Sequence, residues 1–260
     1  MKKQKVLLVE DNELSSELGF SFLEEAGYDC RVAANGEEAL HALRSGDFDL
    51  VLMDVEMPVM DGLTATRKIR AELKKDVPVI ALSGHTSAEE HEKCIAAGMN
   101  DCVVKPFQKE ALYAAIAKQL KKNGAAKKRE EATAGSTAAG AVTDLTYLRS
   151  IARNNEGFFT SMIRIFTEQT PEDVKKLDAA VHECDFETIR TLAHKIKTSV
   201  VFVGADAHVQ RELVEMEKLG EEKKSILRIA ELFAHVKKTC TTACEELTLF
   251  LAGKNQKSSG

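Results

Sequence analysis

The chain has 260 residues, of which 44% are apolar and 30% charged, and its net charge is −5. That length suits two domains of roughly 110–120 residues better than one. No apolar run approaches the roughly 18–20 residues of a membrane span, so membrane insertion is not expected. The basic start Met1-Lys2-Lys3-Gln4-Lys5 leads only into Val6-Leu7-Leu8-Val9, too short an apolar stretch for a secretory signal, and the expected location is the cytoplasm. The acidic excess lies in the first half and the second half is nearly balanced, so neither half offers the basic face that direct nucleic-acid binding needs.

In chain order, residues 5–120 alternate short apolar runs with amphipathic stretches. Strands are predicted at Lys5–Val9, Cys30–Ala33, Leu50–Met53, Val77–Leu82 and Cys102–Val104, and helices near 14–26, 36–45, 62–74, 87–97 and 108–121. Nearly continuous apolar strands indicate parallel strands buried on both faces. Five βα units predict an open, doubly wound α/β sheet of the flavodoxin-like type over residues 1–121. Residues 122–142 carry no large apolar side chain at all before Val142 and read as a linker, flexible from Gly135 to Gly140. From residue 143 to 252 the pattern is helical throughout, with helices near 144–153, 156–169, 172–184, 185–203, 206–219 and 222–251. Breaks are expected at Asn154-Asn155, Thr170-Pro171, Gly204 and Gly220. The last four of these helices are expected to form an antiparallel bundle, with 253–260 a disordered tail.

Ligands of a doubly wound sheet bind beyond the carboxyl ends of its strands. Glu10 and Asp11 follow the first strand, Asp54 ends the third, Ser83 ends the fourth and Lys105 follows the fifth. Three converging carboxylates repel unless a cation is present, and hard oxygen ligands suit Mg²⁺. Lys105 and the Ser83 hydroxyl can grip the oxygens of a phosphoryl group on Asp54, the electrostatic clamp that phosphoryl transfer requires.

Four stretches carry a family resemblance: Val6-Leu7-Leu8-Val9-Glu10-Asp11-Asn12, Leu52 to Gly62, Ala81-Leu82-Ser83-Gly84 and Lys105-Pro106-Phe107. In their order and spacing, residues 4–121 resemble the response-regulator receiver family. The resemblance implies that Asp54 is the phosphoacceptor, that Glu10, Asp11, Asp54 and the Glu56 main-chain carbonyl hold Mg²⁺, and that Ser83 and Lys105 contact the phosphoryl group. It also implies a cis Lys105–Pro106 bond and places Glu56 and His85 beside the attacking water. Glu10 stands where Asp is usual, and Cys102 where many members carry Tyr or Phe.

Among seven histidines, His194 is singled out by its helix. Ile189, Leu192, Ile196, Val200 and Val203 define a buried stripe, and His194 lies about 200° from both Leu192 and Ile196 at roughly 100° per residue. It is therefore expected to face solvent, beside Arg190, Lys197 and Thr198. An exposed imidazole with cations beside it suits a phosphoryl carrier. Leu192 to Ser199, with Gly204-Ala205 beyond and Asp185 to Arg190 before, is similar to the histidine-phosphotransfer (Hpt) family over about 144–250. That resemblance makes His194 the phosphorylated residue and Lys197 its companion. Thr198 and Val201 replace residues that are usually smaller. His182, His208 and His235 read as structural or surface residues.

Six cysteines form no Cys-x-x-Cys pair, and Cys240 and Cys244, one helical turn apart, read as core or flank. The expected function is a two-component phosphorelay protein rather than an enzyme acting on a separate substrate. It accepts phosphate on Asp54 and carries it on His194, with a sensor histidine kinase and a downstream receiver as partners. The alternative is a phosphorylation-switched binding module, or the C-terminal receiver–Hpt part of a hybrid kinase. The start at a methionine favours a free-standing protein. A haloacid-dehalogenase-type phosphatase wants Asp-x-Asp, which Asp54-Val55-Glu56 does not supply.

Overall fold

The computed structural model describes residues 3–84, 87–120, 141–153 and 155–257. The chain divides into two units, Met1–Glu131 and Ala132–Gly260. The first runs β1 (Lys5–Val9), α1 (Glu13–Glu25), β2 (Asp29–Ala33), α2 (Gly36–Ser45), β3 (Leu50–Asp54), α3 (Gly62–Ala71), β4 (Val79–Ser83), α4 (Ala88–Ala96), β5 (Asp101–Val104) and α5 (Lys109–Leu120). Its strands form one parallel sheet in the order β2-β1-β3-β4-β5. This is the doubly wound, flavodoxin-like order expected from the alternation of strands and helices. Every residue of β3 and β4 is buried, which is why those strands read as unbroken apolar runs.

Register brings the strand ends level. Val9 pairs with Met53, Asp54 with Leu82, and Ser83 with Val104. Asn12, Asn35, Asp61 and Ser87 each cap a helix by accepting the N–H three residues on, so the chain turns sharply at that edge. On one face the Tyr113 hydroxyl of α5 donates to the Phe22 carbonyl of α1 at 2.6 Å. On the other, α2 and α3 cover the cluster that includes Leu7, Leu43, Val51, Met53 and Ile69.

In this unit two boundaries depart from the sequence pattern by more than one residue. β4 starts at Val79, not Val77, because Pro78 has no N–H to give the ladder; only its carbonyl is used, by Val51. α3 stops at Ala71, short of 74, since Lys74 turns to φ 51° and the Arg70 guanidinium takes the Lys75 and Val77 carbonyls.

The second unit holds α6 (Thr146–Ala152), α7 (Glu156–Glu183), α8 (Phe186–Phe202), α9 (Asp206–Glu222) and α10 (Ile226–Lys257). α7 and α9 each pack on both α8 and α10, closing a four-helix ring with short connections. Val142 and Thr143 are held by Glu246 of α10 through N–H bonds of 3.0 Å each, so Val142, the last residue of the predicted linker, is anchored to the helical unit. The linker residues 122–140 lie outside the described residues, as do Lys121, Asn154 and residues 258–260.

Three expectations are corrected. Pro171 does not open a new helix but lies within the 28-residue α7. It sits on the exposed side, while Phe159, Met162, Phe166, Thr170, Val174 and Leu177 form one buried stripe on both sides of it. That shared packing holds the two halves together against the lost hydrogen bond. Gly220 does not break α9, which ends instead at Lys223 in the left-handed region. Gly220 is needed for proximity: a Cβ there would meet the Phe186 carbonyl oxygen at 2.9 Å and the Arg190 N and Cβ at 3.1 Å. Finally, α10 runs past 252 to Lys257, since no proline or other helix breaker interrupts the chain there.

Among the described residues no helix is long and apolar enough to cross a membrane. Because an internal proline costs a helix about 3 kcal/mol, Pro171→Ala is expected to stabilise the helical unit by roughly 1–3 kcal/mol. Urea unfolding followed by circular dichroism measures this.

Candidate functional site

Glu10, Asp54, Ser83 and Lys105 are each at least nine-tenths buried at the carboxyl edge of the sheet, with Asp11 partly exposed beside them. Lys105 Nζ lies 2.6 Å from Asp54 Oδ2 and 2.5 Å from Glu10 Oε2. The second contact is an ion pair, not an aligned hydrogen bond. Glu10 Oε1 accepts the Asn12 N–H at 3.3 Å, and Asp54 Oδ1 accepts the Glu56 N–H at 3.2 Å. The Lys105 N–H donates to the Ser83 carbonyl at 2.7 Å, fixing the lysine stem to the end of β4. The Lys105–Pro106 bond is cis, as the resemblance implied. Gly62 closes the floor: its N–H donates to Val55, and a Cβ there would collide with the Asp54 carbonyl oxygen.

The pocket is short of positive charge. Burial and the neighbouring Asp54 charge push the Glu10 carboxyl well above the usual range, against the pull of Lys105. Burial works against the Lys105 ammonium, but the charges of Asp54 and Glu10 outweigh it and hold its pKa above the ordinary value. Carboxylate oxygens of Glu10, Asp11 and Asp54 lie within 4.8 Å of one another. A donor set of three hard oxygens with one ammonium between two of them fits a small divalent cation.

In the helical unit His194 is not exposed, as the helical wheel suggested, but 8% accessible. Its Nδ1 lies 2.8 Å from Glu217 Oε1 of α9, and Lys197 Nζ lies 2.6 Å from Glu217 Oε2. Burial alone would raise the Glu217 carboxyl, but the His194 hydrogen bond and the Lys197 charge overcome it and hold it below the usual range. An ionised carboxylate only accepts, so His194 Nδ1 is the donor to Glu217 and Nε2 is the ring nitrogen left away from that contact. The Thr198 hydroxyl donates back to the His194 carbonyl at 3.2 Å. Lys195 turns the other way, to the buried Asp173 of α7 at 3.1 Å. His182, His208 and His235 are exposed.

The response regulator receiver domain family matches residues 6–117. Residues 6–117 are a response regulator receiver domain. Among curated proteins, Hybrid signal transduction histidine kinase B of Dictyostelium discoideum is 38% identical over 120 residues, 41% of this chain and 6% of that protein. Histidine kinase 5 of Arabidopsis thaliana is 36% identical over 145 residues, 45% of this chain and 16% of that one. The chain thus spans a small part of these relatives. Among solved structures, the receiver domain of sensor histidine kinase PA1611 from Pseudomonas aeruginosa PAO1, described with a magnesium ion in its active site cleft, is 37% identical, covering 46% of this chain and 98% of that one at a TM-score of 0.43. Chemotaxis protein CheY4 of Vibrio cholerae is 33% identical over 46% of this chain and all of that one, at a TM-score of 0.44.

Within the receiver domain, Cys102 lies half-buried on β5 against the core. His85 lies outside the described residues. The structure gathers Glu10, Asp11, Asp54 and Lys105 into one pocket, with Ser83 at its β4 rim, and unites His194 with Lys197 through a residue the sequence reading passed over, Glu217. No periodicity marks Glu217, one of several glutamates on α9; only the α8–α9 contact selects it.

A carboxyl held low when folded contributes stability above its unfolded value of 4.5 and loses it as pH falls through the lower folded value. Glu217→Gln is therefore expected to flatten the loss of stability of the helical unit below about pH 4.5. Thermal unfolding of both proteins between neutral and acid pH reads this out.

Proposed function

We propose that the chain is a two-component phosphorelay protein in which Asp54 accepts a phosphoryl group and His194, in a histidine-phosphotransfer unit, carries one to or from a partner receiver. The observations that support it most are a buried Asp54–Lys105 contact in one unit and, in the other, an imidazole whose Nδ1 is held by Glu217. In this reading a sensor histidine kinase donates to Asp54, and a downstream receiver is the other partner. The protein acts in the cytoplasm and catalyses only its own phosphorylation and dephosphorylation.

On Asp54, a carboxylate oxygen attacks phosphorus, the bond to the donor imidazole breaks, and that nitrogen keeps the electron pair. Lys105 and the Ser83 hydroxyl receive the phosphoryl oxygens. Glu10, Asp11, Asp54 and the Glu56 main-chain carbonyl are the proposed Mg²⁺ ligands, and Mg²⁺ would supply charge neutralisation there. On His194, Nε2 attacks the phosphorus of an aspartyl phosphate while Nδ1–H stays on Glu217, and Lys197 is the cation nearest to offset the arriving charge.

Radiolabelled acetyl phosphate with Mg²⁺, on the full chain, tests this. Alkali-labile label should vanish in Asp54→Asn, and alkali-stable, acid-labile label should vanish in His194→Gln. Label unchanged in both variants would sink the proposal. Glu217→Gln should slow transfer through His194 by at least ~10-fold with a changed pH profile, because the amide can also hold the wrong tautomer.

A further inference from the structure

Two thiols that the phosphotransfer chemistry leaves unused face one another in the receiver domain. Cys94, fully buried on α4, and Cys102, half-buried on β5, are near neighbours where α4 packs on β5. Both belong to the apolar layer between the sheet and its α2–α3–α4 face. Seven residues separate them, and the chain returns from one to the other through the turn at Gly98 (φ +96°). The Met99 N–H donates to the Cys94 carbonyl, which fixes the end of α4 against the approach to β5. Glu90 is the charged group whose field reaches both thiols, and Asp101 adds to it at Cys102.

We propose that Cys94 and Cys102 form a redox-modification site, a dithiol that small-molecule disulfides of the glutathione class convert to an intramolecular disulfide tying α4 to β5. Cys102, the more accessible of the two, attacks one sulfur of the oxidised reagent; that S–S bond breaks and one thiol leaves with the proton Cys102 gave up. The Cys94 sulfur then attacks Cys102 Sγ in the mixed disulfide, its proton passes to the second leaving thiol, and the protein S–S bond is complete. Two cysteine thiols have lost two electrons and two protons, and one reagent disulfide has become two thiols. Burial pushes the thiols up, Cys102 to about 11, so little thiolate exists at neutral pH and the exchange is slow. The tie closes three residues before Lys105, so its effect falls on the strand that carries the lysine of the acid pocket. It rests on the receiver domain alone and is independent of any role for His194.

The full chain, treated with glutathione disulfide and then alkylated under denaturing conditions, tests this by peptide mass mapping. The expected product is a Cys94–Cys102 crosslinked peptide about 2 Da lighter than the two reduced peptides together, reversed by dithiothreitol. In the oxidised protein, amide exchange over 88–96 should slow by at least ~3-fold, and Cys102→Ser should show neither change while keeping its native circular dichroism. Two results would overturn the proposal: Cys94 alkylated as a free thiol after the exposed Cys184 has fully reacted, or Cys102 recovered only as its glutathione adduct. Because the crosslink is mapped in the wild-type protein, neither outcome depends on how well the variant folds or on whether Asp54 is labelled.

Discussion

Glu10 and Asp54 come from different strands, are almost wholly buried, and meet one ammonium group at 2.5 and 2.6 Å. Two carboxylates cannot share a low-dielectric pocket without a cation, and a buried ammonium cannot stand without anions. Lys105 therefore sets the terms for the carboxyl edge of the sheet. The parallel register presents the strand ends at one level, and Gly62 lets α3 begin against the Asp54 backbone. The amino ends of α1 and α3, capped by Asn12 and Asp61, face the same edge and add their partial positive charge. One cation against three carboxylates leaves the pocket with an appetite for a second.

The receiver domain was legible because its signals are local. Apolar runs marked β1, β3 and β4, and the acidic and basic residues stood at their ends in the order the sheet later aligned. Errors came where a backbone feature outweighed side-chain pattern: Pro78 withholds a donor from β4, and Arg70 draws the chain out of helix by taking two carbonyls. Neither effect has a periodicity.

The helical unit shows what such patterns miss. Pro171 looked like a helix start, and only the continuous buried stripe from Phe159 to Leu177 explains why α7 runs through it. His194 looked exposed because the apolar stripe of α8 lies elsewhere. A polar face is covered just as effectively when the covering helix brings a carboxylate, as α9 does with Glu217. Amphipathic analysis reports where oil-like surface is buried and is silent on ionic burial.

Gly220 gives that contact its dimension. It lies one turn from Glu217, opposite Arg190, itself one turn before His194, and its missing side chain lets the two backbones nearly touch. The residue supplies no charge, no donor and no acceptor to the network, yet it works as a gauge that decides whether two ionisable groups on separate helices are neighbours or strangers. The ionic contact at the imidazole is thus subject to a purely steric veto, held at a position that a search for reactive side chains would never visit.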